Sequence, residues 1–175
     1  MRNVISLAHL SLDGFMAGPN ADMSFISMNQ EMIDHIYLLI RTADLAVYGR
    51  ITYELMESYW PGQVDAGTPL EREHARWYMA VDKLVASRRS KVDIVEAVRT
   101  AKQAAGGDIM VFASPTLMQT LIAADLIDAY LLTIQPVLVG SGLKLFPTMD
   151  RQHLALTDSH TFSNGVISAR YTVKR

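Results

Sequence analysis

The chain contains no cysteine. That absence excludes disulfides, a C-x-x-C redox pair, thiolate zinc sites and a cysteine nucleophile. No apolar run approaches the roughly 20 residues a membrane-spanning helix needs. The opening stretch, Met1 to Gly14, is too short and too broken to be a secretory signal. No Lys/Arg run stands out, and 16 basic against 18 acidic residues leave a net charge of −2. Nucleic acid is therefore not expected as a partner, because phosphate backbones are held by concentrated positive charge. The five histidines, His9, His35, His74, His153 and His160, show no metal-ligand spacing such as H-E-x-x-H. They read as structural or surface residues, and no metal is expected. A G-x-G-x-x-G fingerprint is also missing, which disfavours a Rossmann site. The expectation left standing is a soluble cytoplasmic protein.

What is present is a chain of 175 residues, half of them apolar and 19% charged, enough for one globular domain with a real core. "NVISLAHLSL" reads as a first strand ending at the turn pair Asp13-Gly14, and Gly18 to Asn20 continues a loop. Met32, Ile33, Ile36, Leu39 and Ile40 recur at helical spacing between Met28 and Arg41. "DLAVY" is a second strand and "ITYELMES" a helix. "YWPGQVDAGTP", with two prolines and two glycines, reads as a loop before a short helix, "LEREHARWYM". "VDKLVAS" and "DIMVFA" are strands that bracket the helix "IVEAVRTAKQA", which Gly106-Gly107 stops. The helix "PTLMQTLIAAD" precedes a fifth strand, "IDAYLLTIQPVLV", interrupted late by Pro136. Asn164-Gly165 between two alternating runs predicts a closing hairpin. Strands alternate with helices to about Ile134 and then pair locally. That order predicts an α/β fold, a mostly parallel central sheet flanked by helices with a C-terminal antiparallel hairpin.

In such sheets ligands sit beyond the carboxyl ends of the strands. Four strand exits share one character. Tyr48-Gly49-Arg50-Ile51-Thr52 offers a glycine for close approach, a helix start and a cation suited to phosphate. Ala113-Ser114-Pro115-Thr116 places an N-cap serine and a first-turn proline after "IMVF". Val139-Gly140-Ser141-Gly142 is a flexible turn, and Ser87-Arg88-Arg89-Ser90 adds two cations and two hydroxyls. Each alone also reads as an ordinary turn, helix start or solvated face. Together, on one edge of one sheet, they suit a dinucleotide with several phosphates.

At these residues the chain resembles the dihydrofolate reductase-like superfamily, in particular the reductase domain of riboflavin biosynthesis, the RibD C-terminal type, and its stand-alone bacterial relatives. The matching pieces are "SLDGFMAGP", "VYGRITYE", "LVASR", "VFASPTLMQTLIAADLIDAYLLTIQPVLVGSGLKLF" and "SNGVISARYTV". The resemblance implies a dihydrofolate reductase-like fold and NADPH as cofactor. It implies cofactor contacts at Gly49, Arg50 and Thr52, at Ser87, Arg88 and Arg89, at Ala113, Ser114, Pro115, Thr116 and Leu117, and at Val139, Gly140 and Gly142. The extra phosphate of NADPH needs cations, which Arg50 and Arg88 or Arg89 supply. The family often has Gly-Gly or Gly-Ser at the pyrophosphate turn. Here it is Ala113-Ser114, whose methyl can crowd the cofactor or change the peptide geometry.

The implied reaction is hydride transfer to a C=N or C=O carbon of a small heterocyclic, imine or carbonyl substrate, pterin- or pyrimidine-like among them. Asp13 is the first candidate proton donor, against a plain Asp-Gly turn. Glu31 and Asp34 are weaker carboxylate candidates. Tyr59, Trp60, Trp77 and Tyr78 read as cleft lining or as core, with core preferred for at least two. The rival reading is a dinucleotide-binding or oligomerising module of the same fold without catalysis. Relatives commonly pair, so a homodimer is expected. "AYLLTIQPVLV" is an interface strand or, equally, one buried inside a subunit.

Overall fold

The computed structural model describes residues 1–87, 92–112, 114–146 and 148–175. Among these, seven strands form one sheet in the order β4-β3-β5-β1-β6-β9-β8, with β1 at Val4–Ser11, β3 at Ala43–Gly49, β4 at Asp82–Ala86, β5 at Asp108–Phe112, β6 at Ala129–Gln135, β8 at Leu154–Thr161 and β9 at Ile167–Val173. The first five in that order run parallel, and β9 and β8 close the sheet antiparallel. The central strands β1, β3, β5 and β6 are buried almost throughout, as expected for parallel strands covered on both faces.

Successive residues of a strand face opposite sides, so each strand feeds two cores. Ile5, Leu7, Tyr48, Phe112 and Leu131 pack under α1 (Gln30–Ile40), α2 (Arg50–Ala66) and α3 (Pro69–Ala80). Val4, Ala8, Val47, Val111 and Leu132 pack under α4 (Ile94–Gln103) and α5 (Pro115–Ala123). The closing hairpin forms where Asn164-Gly165 placed it, with Gly165 at φ +83°.

Three local expectations change. The predicted loop after "ITYELMES" is mostly helix: α2 runs on through Pro61 to Ala66. Proline removes one N–H from a helix interior. Here Trp60 is buried against the His74 ring of α3 at 3.8 Å, and Tyr78 donates to Glu57 at 2.7 Å, so packing between α2 and α3 overrides the local signal. The fifth strand stops at Gln135, before the residue that lacks an N–H. It lies between β1 and β9, so the burial of "AYLLTI" is met within one chain and is not an exposed interface. A small antiparallel pair, β2 (Phe15–Ala17) with β7 (Leu143–Lys144), had no sequence signal. It depends on Gly142, where a Cβ would sit 2.1 Å from the Ala17 carbonyl oxygen.

The amino ends of the parallel strands are tied by charge. Arg2 pairs with Asp44, and its Nε donates to the Gly107 carbonyl at 2.7 Å. Lys102, buried in the last turn of α4, donates to Asp128 at 2.5 Å. Burial opposes ionisation of Asp128. Hydrogen bonds from Lys102, the Val4 N–H and Arg175 overcome it and hold the carboxyl below its ordinary range.

Candidate active site

A cleft of about 720 Å³ opens at the carboxyl ends of β3, β4 and β5. Gly49, Arg50 and Ile51 line it from the β3–α2 junction, Ala86 and Ser87 from the end of β4, and Val92 and Ile94 from the approach to α4. Ser114, Thr116, Leu117 and Thr120 line it from α5. The structure thus brings three of the four strand exits to one place. Arg88, Arg89 and Ala113 lie outside the described residues. Thr52 and Pro115 belong to the first turns of the two helices without lining the cleft.

The helix starts differ in a telling way. α1 is capped by Asn29, whose side chain accepts from the Met32 N–H. α3 has a full capping box from Thr68 and Glu71, and Asp93 caps α4 through two N–H groups. While α4, whose first residue Ile94 also lines the cleft, is capped by Asp93, α2 and α5 open into it with no side-chain cap at Gly49 or Ser114. Their first-turn N–H groups and the positive ends of their dipoles face a cavity. That is donor chemistry suited to phosphate. Leu117, Ile51, Val92 and Ile94 supply apolar wall, and Ser87, Thr116 and Thr120 supply hydroxyls. The residues present therefore fit a dinucleotide.

The glycine of "VYGRITYE" clears space for a neighbour within the protein. A Cβ at Gly49 would meet the Ser114 Oγ at 2.4 Å, so the absent side chain lets the two helix mouths press together. Arg50 stands at the rim, half-exposed, with Nη1 donating to both carboxylate oxygens of Glu54 at 2.7 and 2.9 Å. Its charge is present but already has a partner one turn along the helix.

Asp13 and the Val139–Gly142 turn meet away from this cleft. The Asp13 carboxylate accepts from Ser11 Oγ at 2.6 Å, from the Val139 N–H at 3.1 Å and from the Gly140 N–H at 2.7 Å. The Ser11 hydroxyl first, then the backbone donors, hold its pKa down to about 2. Such a group is ionised at neutral pH and straps the loop after β6 to the end of β1. Gly142 faces β2.

Glu31 accepts from Ser163 and His160 of the closing hairpin, and Asp34 from Gln30, so both carboxylates serve local structure. Trp60 and Tyr78 are core, Trp77 is half-buried with its indole N–H on the Ala43 carbonyl, and Tyr59 is exposed. Reading the sequence alone missed a set of polar residues at the ends of β1, β6 and β9: Ser11, Thr133, Gln135 and Ser168, all buried, and half-buried His9. The signal was polar residues at alternate positions, "HLS" and "TIQ", closing otherwise apolar strands. Among the described residues no group of His, Asp or Glu could hold a metal, and no helix is long and apolar enough to cross a membrane.

Comparison with known proteins fits this geometry. An uncharacterised protein of Bacillus subtilis, YyaP, is 31% identical over 97% of this chain and 94% of its own length. A putative riboflavin biosynthesis protein from Shewanella sp. PV-4 superposes with a TM-score of 0.67 at 20% identity, covering 99% of both chains. A pyrimidine reductase-like protein from Corynebacterium diphtheriae gives 0.65 at 15% identity, over 99% of this chain and 92% of the other. Residues 2–168 match the family described as the RibD C-terminal domain, and the chain belongs to that family.

Proposed function

We propose that the protein is an NADPH-dependent oxidoreductase that reduces a C=N or C=O bond of a small heterocyclic or carbonyl substrate. One observation carries the reading: of the helices capped or uncapped at their starts, the two left uncapped both open into one cleft at the carboxyl edge of the sheet. When bound, the cofactor supplies the hydride. The chain's part is to bind and orient it. The mouths of α2 and α5 take the phosphates, with Ser87 and Thr116 hydroxyls beside them. Arg50 swings from Glu54 to the phosphate that distinguishes NADPH from NADH. Arg88, Arg89 and Ala113 enter this proposal on family resemblance alone. Asp13, the proton donor expected from sequence, also sets the Val139–Gly140 loop, whose two N–H groups its carboxylate accepts.

Calorimetric titration with NADPH and NADH tests the reading. The expected result is micromolar NADPH binding with weaker NADH binding, and a selective loss of NADPH affinity in Arg50→Ala. Absence of binding by either dinucleotide would overturn the proposal. Equal losses for both in Arg50→Ala would remove Arg50 from the discriminating role.

A further inference from the structure

Three rings and one carboxylate hold the closing hairpin against α1. His35 of α1 stacks on His160 of β8, with ring centres 4.8 Å apart and planes inclined by 22°. Phe162 meets both rings edge-on, at 5.3 Å from His35 and 4.7 Å from His160. One helical turn before His35, Glu31 lies 3.3 Å from His160 Nε2 and accepts from the Ser163 N–H and hydroxyl at 3.2 and 2.9 Å. The same hairpin reaches the loop that enters α1. Asn29 donates to the Ser163 hydroxyl and Asn164 to the Ser27 carbonyl, each at 3.3 Å. In the middle of this contact His35 Nε2 is buried and has no partner. A buried polar atom without a partner is rare, and this one belongs to a side chain that changes its charge near neutral pH.

We propose that this contact is an acid-released clasp, which holds while the two stacked imidazoles carry at most one proton and opens when both carry one. A first proton suits it. On His160 that proton faces the Glu31 carboxylate, and the neighbouring ring stays neutral. A second proton does not. It stacks two cations at 4.8 Å, and a charged His35 needs an acceptor at Nε2 where there is none. Burial first, and then the charge on His160, hold the His35 imidazole below its ordinary 6.5, against the opposite pull of Asp158 and Glu31. Arg170 of β9 stands opposite Asp158 in register, and α3 packs on the other side of α1, where its His74 and Glu73 meet Tyr37. Glu31 is held below the usual carboxylate range by the Ser163 N–H, then the Ser163 hydroxyl and His160, so it stays charged while the imidazoles titrate. The closed clasp therefore binds fewer protons at His35 than the open one. Its stability is full above about pH 6.5 and is lost as pH falls. Opening frees the hairpin from α1 and removes its tether on residues 22–29. The clasp sits at the β8 edge of the sheet and the cofactor cleft toward the β4 edge, so acid loosens one edge and leaves the other in place.

Amide hydrogen exchange tests the clasp, read as protection factors corrected for the intrinsic rate at each pH, in wild type, His35→Phe, His35→Gln and His74→Phe. Phenylalanine keeps a ring against His160 and Phe162 but takes no proton, and glutamine removes the titrating ring with a different shape. Between about pH 6.5 and about pH 5, wild-type amides of the β8–β9 hairpin should lose about tenfold in protection relative to those of β5. Both His35 variants should keep their protection over that range, and His74→Phe should lose as much as wild type. No loss in wild type would overturn the clasp. So would an equal loss in the His35 variants, which would assign the acid response to Glu31. A loss shared by β5, or one that His74→Phe removes, would also overturn it, because the acid response would then belong to the whole fold.

Discussion

The two ends of the parallel strands are built on opposite rules. At the amino ends of the central strands charge meets charge: Arg2 meets Asp44 and Gly107, and Lys102 and Arg175 converge on Asp128. At the carboxyl ends part of the bonding is left open. Two helices start without side-chain caps, and Gln135 and Ser168 carry unmade hydrogen bonds. A matched end adds stability and has nothing left to offer a ligand. An open end lowers stability and keeps its donors ready. The two ends of one sheet therefore differ in how completely their polar groups are matched.

Mutations at each end sharpen that contrast. Asp128→Ala should have the largest effect. It strands buried Lys102 and removes the acceptor of the Val4 N–H, and urea unfolding should show a loss of about 3–5 kcal/mol. A loss below about 1 kcal/mol would show that the amino end is not the stabilising one.

His74 comes next. It lies between the Tyr37 and Trp60 rings with Nδ1 unpartnered, and burial pushes its pKa from 6.5 down to about 3. The folded state then binds fewer protons than the unfolded one between these values. Stability should be full above about pH 6.5 and fall as pH drops toward 3, with a slope near 1.4 kcal/mol per unit from this one group. His74→Phe should flatten that slope, and an unchanged slope would assign acid sensitivity to other groups.

At the carboxyl end, Gly49→Ala drives a methyl into Ser114 and should weaken NADPH binding by about tenfold, the effect of a modest overpacking strain. The double variant with Ser114→Gly should restore it. Failure of that rescue would mean that the space at Gly49 serves the ligand directly. Glu54→Gln should matter least. It frees an exposed arginine whose pair is worth under about 1 kcal/mol, so NADPH affinity should rise by only a few fold with NADH affinity unchanged.

Much of the scaffold was readable residue by residue. "DLAVY" and "DIMVFA" are short apolar runs between helical patterns, and such runs have few ways to be buried other than as parallel strands. Asn164-Gly165 specified its turn, because few residues other than Gly and Asn accept the left-handed backbone it needs. The cleft was legible as a set of strand exits, and three of them converge. Pro61 misled, because a proline signals a loop locally while the contacts of Trp60 with His74 and of Glu57 with Tyr78 come from the next helix, α3. Asp13 was a candidate for its motif, but beside the neighbouring Ser11 hydroxyl the partners that keep it ionised, Val139 and Gly140, come from the far side of the chain.

The sequence by itself determined the order of strands and helices, the closing turn and the family, since these rest on local patterns and on motifs spread along the chain. Only the tertiary structure decided which polar residues meet. Gly49 faces Ser114, His9 faces Thr133 and Ser168 stands two strands away from His9, because strand order and register are set by packing over the whole sheet and not by any one segment.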